Sequence, residues 1–132
     1  PTNGNMKMEK AKILVIDDDV DVQGFCRIVL EAEGYAVVAA SSGAEGRQMM
    51  AGGGADLVIL DVMMEQVDAG FETARWLAAT YPSVPVLMLS SIADAADRLF
   101  DTSILKVADL VSKPVEPRQL VDKVGRLLPG RH

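Results

Sequence analysis

Several polar residues with chemical potential sit where apolar runs end. Ile13-Leu14-Val15-Ile16 runs into Asp17-Asp18-Asp19, and Leu57-Val58-Ile59-Leu60 runs into Asp61. A third run, Val86 to Leu89, is followed by Ser90-Ser91, and a fourth, Ala108 to Ser112, by Lys113-Pro114. Burying one carboxylate is costly, and crowding several is costlier unless a cation compensates. If the first two runs are neighbouring strands, Asp17, Asp18 and Asp61 converge. A hard divalent cation resolves their repulsion, and Mg2+ fits because it uses one or two carboxylates and keeps several waters. Zinc is not indicated, since the chain has one cysteine, Cys26, and one histidine, the terminal His132. Pro114 biases Lys113 away from helix, so its ammonium can reach over a sheet edge to a carboxylate or a phosphoryl oxygen. The Ser90 hydroxyl stands at a matching strand end. A carboxylate nucleophile, a magnesium site, a lysine and a hydroxyl suit phosphoryl transfer, with Asp61 attacking phosphorus to form an acyl phosphate. Asp19 and Asp21 read equally well as exposed helix caps.

The elements that must position these groups are legible from periodicity. Continuous apolar runs mark strands at Lys12–Ile16, Tyr35–Ala39, Asp56–Asp61, Pro85–Leu89 and Ala108–Ser112, as expected for a sheet covered on both faces. Between them, apolar residues recur at spacings of three and four. Val22, Phe25, Cys26, Val29 and Leu30 define a helix over Val20–Glu33 that stops at Gly34. Ser42 and Glu45 form a capping-box pattern opening a second helix, which ends at Gly52-Gly53-Gly54. Phe71–Thr80 and Glu116–Leu128 are further helices, and Ile92–Leu105 is a weaker one interrupted by Asp101, Thr102 and Ser103. Five strands alternating with five helices imply a doubly wound parallel α/β sheet with right-handed crossovers. Its site lies beyond the strand carboxyl ends, where the strand order reverses.

Size and composition narrow the class. The chain has 132 residues, enough for one domain. Residues 1–9 read as a disordered leader or expression remnant, 10–129 as the domain and 130–132 as a tail. The net charge of -6 argues against direct nucleic-acid contact. No apolar run is long enough to span a membrane and no signal peptide is evident. With Cys26 expected as a buried hydrophobe, these features point to a reducing, cytoplasmic setting. Met49 and Met50 are expected to fill core.

The chain resembles a response regulator receiver domain of two-component signal transduction, the CheY-like family. The resemblance rests on Ile13 to Asp19, Ala40-Ser41-Ser42-Gly43, Asp56 to Met64, Pro85 to Ser90 and Lys113-Pro114, in order and at the family's spacing. It implies a flavodoxin-like (βα)5 sheet in strand order 2-1-3-4-5. It also implies a phosphoprotein that takes phosphoryl from a histidine kinase phosphohistidine, or from a phosphotransfer protein in a phosphorelay. Asp61 then corresponds to the phosphoacceptor, and Asp18 and Asp61 bind Mg2+ together with the backbone carbonyl of Met63, Asp17 acting mostly through water. Ser90 takes the switch-hydroxyl role and Lys113 the lysine role. The implied output is a switched surface on the fourth helix, last strand and final helix. That surface would engage a downstream effector or an attached output domain, with homodimerisation through it left open. Self-catalysed phosphorylation and dephosphorylation would make the chain an enzyme only in a strict sense.

Two departures from the family pattern bear on function. The loop Met64-Glu65-Gln66-Val67-Asp68-Ala69-Gly70 has Glu65 where proline is usual and Ala69 between Asp68 and Gly70. Glu65 reads either as a modifier of the metal and phosphate or as a surface acid. Leu110 replaces the switch aromatic of the last strand, which implies weaker or rerouted coupling. A degenerate receiver, working as a phosphorylation-independent protein-binding or dimerisation module, is therefore the alternative. An unrelated flavodoxin-like binder or small hydrolase lacks a phosphate-cradling glycine loop and a histidine base.

Overall fold

A computed structural model describes residues 10–61, 69–90 and 108–128, with backbone alone at 69–71. The elements run β1 (Lys12–Ile16), α1 (Val20–Glu31), β2 (Ala36–Ala40), α2 (Gly43–Gly52), β3 (Leu57–Asp61), α3 (Ala69–Thr80), β4 (Val86–Ser90), β5 (Asp109–Ser112) and α4 (Pro117–Leu127). All four strand pairings are parallel, in the order β2-β1-β3-β4-β5. The expected doubly wound sheet is thus present, and the order reverses between β1 and β3, where Asp17 and Asp61 emerge. The expected helix at Ile92–Leu105, the loop from Val62 to Asp68 with Met63 and Glu65, residues 1–9, Ser91 and His132 lie outside the described residues.

Alternation along the strands divides the core in two. Ile13, Val15, Leu57, Ile59, Leu87, Leu89 and Val111 pack with Cys26 and Leu30 of α1 and Leu120 and Val124 of α4. Leu14, Ile16, Val58, Leu60, Val86 and Met88 pack on the opposite face with Met50 of α2 and Ala74 and Leu77 of α3. Each fully buried Leu or Ile contributes roughly 1.5–3 kcal/mol. Cys26 behaves as the expected hydrophobe, being buried and unbridged, and burial pushes its thiol up to about 12.

Local sequence sets the boundaries. Asp19 is the N-cap of α1, its Oδ1 accepting the Asp21 N–H at 2.9 Å. Helix α1 ends at Glu31, two residues before the expected stop, and the chain turns through Gly34 at φ 97°, a conformation glycine adopts freely. Ser42 caps α2 by accepting the Glu45 N–H at 3.1 Å. The Glu45 carboxylate reaches back one residue further than in a strict capping box, accepting the Ser41 N–H at 2.7 Å. Asp56, expected within the third strand, precedes it and clasps β1 to β3. It donates its N–H to the Lys12 carbonyl at 2.7 Å and accepts the Lys12 N–H on Oδ2 at 2.7 Å. Gly46 lets α2 lie directly on β1, since a Cβ there would come within 2.5 Å of Ile16 Cδ1. Pro117 opens α4, and Lys123 Nζ ties that helix to β5 at 3.1 Å from Asp109 Oδ1. Burial alone would raise the Asp109 carboxyl, but the Leu110 amide and Lys123 outweigh it and hold it below its usual range.

Candidate active site

Asp17 and Asp61 extend the buried alternation of their strands, and Lys113 extends that of β5. Ile13 and Val15 are followed on the same face by Asp17, Leu57 and Ile59 by Asp61, and Val111 by Lys113. The carboxylates therefore stay inside the fold, with Asp17 and Asp61 0% and 2% exposed. Lys113 Nζ lies 3.2 Å from Asp61 Oδ1 and 3.7 Å from Asp17 Oδ2. The peptide bond from Lys113 to Pro114 is cis, and the Lys113 N–H donates to the Ser90 carbonyl at 2.6 Å. One lysine thus serves two buried acids and is tied to the end of β4.

Asp18 completes a triad. One carboxylate oxygen from each of Asp17, Asp18 and Asp61 falls within 4.8 Å of the others, Asp18 being the exposed member. All three donors are hard oxygens, and buried Asp17 Oδ2 accepts no hydrogen bond. Such a donor set, with a buried oxygen unsatisfied by hydrogen bonding, fits a divalent cation such as Mg2+. The electrostatics agree. Burial, with Asp61 adding to it, raises the Asp17 carboxyl to about 6 against the opposing pull of the Asp19 amide and Lys113. Burial would lower Lys113, yet Asp17 and Asp61 prevail and hold it above its ordinary value.

The remaining expected residues fall around this triad. Ser90 is buried at the end of β4, one residue beyond Leu89, the register partner of Asp61. Leu110 pairs with Met88 and packs, half-buried, on the α2/α3 face. Asp19 is a helix cap, as one of its two sequence readings had it. One polar side chain beside the triad has no signal in the sequence. Gln23, closing the first turn of α1, donates through Nε2 to the Asp17 carbonyl at 2.6 Å and to Ser41 Oγ at 3.2 Å. A lone glutamine on a half-buried helix position is ordinary, and only the folded ends of β1 and β2 give it partners.

Comparison with known proteins agrees with this geometry. The response regulator receiver domain family matches residues 13–125. The chain is 34% identical over 125 residues to the transcriptional regulatory protein GltR of Pseudomonas aeruginosa, covering 93% of this chain and 51% of that protein. It therefore spans about half the length of the curated relatives it matches. Among solved structures, the chemotaxis response regulator CheY4 of Vibrio cholerae is similar with a TM-score of 0.81 and 26% identity, covering 90% of this chain and 99% of that one. A response regulator receiver domain protein from Clostridium thermocellum is similar with a TM-score of 0.78 and 26% identity, covering 89% and 94%. Among the described residues, no helix is long and apolar enough to cross a membrane.

Proposed function

Because this chain belongs to the response regulator receiver domain family, we propose that it accepts a phosphoryl group on Asp61 from the phosphohistidine of a histidine kinase or phosphotransfer protein. The observation that carries this reading is the placement of Asp61. It is a buried carboxylate at a strand end, paired to Lys113 at 3.2 Å and gathered with two further aspartates. An Asp61 carboxylate oxygen forms the new P–O bond while the donor's N–P bond breaks. The imidazole nitrogen keeps the electron pair and takes up a proton. Lys113 gives its ammonium to an equatorial phosphoryl oxygen, exchanging one anionic partner for another. Asp18 and Asp61 would hold Mg2+, with Asp17 beside them acting through water and the Met63 backbone carbonyl as the further ligand that the family resemblance implies. When bound, the cation neutralises phosphoryl oxygen charge.

Ser90 is the hydroxyl donor to the attached phosphoryl group. With Leu110 in place of the switch aromatic, coupling to the output surface of the fourth helix, last strand and final helix is weaker or rerouted, Leu110 contributing only apolar packing. The partner that reads it is a downstream effector or an attached output domain, and the setting is cytoplasmic, consistent with the buried thiol of Cys26. Residues 10–129 form the receiver unit. A phosphorylation-independent binding module has Leu110 on its side, and the complete acid and lysine set weighs against it.

The test is incubation with Mg2+ and acetyl phosphate, followed by intact mass measurement. The expected result is one phosphoryl group on the wild type and none on Asp61→Asn. No adduct with acetyl phosphate or phosphoramidate, together with no Mg2+ binding, overturns the reading.

A further inference from the structure

We infer that Gln23 is a positioning residue for the cation site, acting by fixing the backbone from which Asp18 projects. This rests on the reading of Asp18 as a cation ligand. Asp18 is the exposed member of the triad, and among the described residues no side chain holds its carboxylate. Its direction is therefore set by its own backbone, meaning the two peptide planes on either side of its Cα.

Both planes are pinned by side chains. The plane before Asp18 contains the Asp17 carbonyl, which accepts the Gln23 Nε2 hydrogen bond at 2.6 Å. The plane after it contains the Asp19 N–H, which donates to Asp17 Oδ1 at 2.9 Å. Asp17 is itself anchored, its N–H donating to the Ala40 carbonyl at 3.0 Å. The second Gln23 hydrogen faces Ser41 Oγ at 3.2 Å and the Ala40 carbonyl at 3.4 Å. Two of these three acceptors are carbonyls, so the amide nitrogen, not its oxygen, must face them. Gln23 thus cross-links the ends of β1 and β2 to α1, and the Asp17–Asp18 peptide lies at the centre of that link. A ligand fixed before the cation arrives loses less conformational freedom on binding, which is the general role of groups that orient metal ligands.

The test is a double-mutant cycle read by titration calorimetry with MgCl2 and by thermal unfolding of the metal-free protein. Gln23→Met keeps length and removes the donor, and it is expected to weaken Mg2+ binding about tenfold. In the Asp18→Asn background the same change is expected to cost nothing further, since there is no carboxylate left to position. Gln23→Asn, too short to reach the Asp17 carbonyl, supplies the comparison if the Met variant folds poorly. Unchanged affinity in Gln23→Met or Gln23→Asn, or an equal loss in both backgrounds, overturns the inference even if unfolding temperatures fall. Wild-type affinity in Asp18→Asn alone removes the ligand reading, and the inference with it. That outcome is distinct from failure of Asp61 to take phosphoryl.

Discussion

Lys113 Nζ lies 3.2 Å from Asp61 Oδ1 and closes a contact between strands β3 and β5, which are separated in the sheet by β4. The pair is asymmetric: the Asp61 side chain is 3% exposed and that of Lys113 28%, so the acid depends on the base for compensation more than the reverse. Removing the ammonium leaves two buried carboxylates facing each other. Lys113→Met is expected to lower metal-free stability at pH 7.5 by about 2 kcal/mol, less than breaking a fully buried pair because water reaches the lysine end. Urea midpoints of the two proteins check this. The loss is expected to shrink at pH 5, where Asp17 is protonated.

The raised Asp17 carboxyl gives a pH dependence of definite sign. Its folded value of about 6 lies above the ordinary 3.8, so the folded chain binds the proton more tightly than the unfolded one. This contribution to stability is full below pH 4 and is lost as pH rises through 6. It amounts to on the order of 2 kcal/mol between pH 4 and pH 7.5. Asp17→Asn removes the titration. Its stability, measured by urea unfolding without divalent cations, is expected to exceed wild type at pH 7.5 and to show a flatter profile between these pH values. A wild-type profile that rises over this range contradicts the assignment.

Cation binding is expected to reverse that penalty. Mg2+ at a hundred times its Kd stabilises a protein that binds it only when folded by about 2.7 kcal/mol. The gain should vanish on adding EDTA and fall sharply in Asp18→Asn. Because Asp17 must lose its proton as the acids gather around the cation, apparent affinity is expected to weaken as pH falls below 6. Thermal melts across a MgCl2 series at pH 5 and pH 7.5 give both quantities.

Helical glycines separate packing from propensity. A Cβ on Gly46 would meet Ile16 Cδ1 at 2.5 Å and Cγ1 at 2.9 Å, and Ile16 is fully buried at the end of β1. Gly46→Ala is expected to destabilise by about 1–2 kcal/mol, because overpacking outweighs the gain in helix propensity. It also presses on the strand that carries Asp17. Gly24 in α1 and Gly125 in α4 have nothing within 4 Å of an added Cβ. Alanine at either is expected to stabilise by about 0.5–1 kcal/mol. Urea unfolding of the three single variants distinguishes these outcomes.

Most of the fold and the principal site were legible because both follow from local pattern. Continuous apolar runs gave every strand to within a residue or so, Asp56 and Pro85 falling just outside, since burial on both faces leaves no other use for such runs. Strand ends fall on one edge of a parallel sheet by topology alone, so Asp17, Asp18, Asp61, Ser90 and Lys113 could be grouped without coordinates. The errors were at ends. Helix α1 stops at Glu31 and β2 begins at Ala36, because the turn at Gly34 takes up residues that periodicity assigned to regular structure.

What the sequence determined by itself was the kind of chemistry and the edge on which it occurs. The residue types and their position after apolar strands suffice for that, being properties of one segment at a time. Tertiary structure alone decided how the charges are shared. That Lys113 answers to both Asp61 and Asp17, that Asp17 Oδ2 is buried without a hydrogen bond, and that Asp18 stays exposed depend on angles and depths set by the packing of both faces. Gln23 belongs to the same class. Its link from α1 to the Asp17 carbonyl and Ser41 joins residues up to 18 apart in the chain, and no local pattern encodes the Ser41 contact, which exists only once β1 and β2 lie side by side.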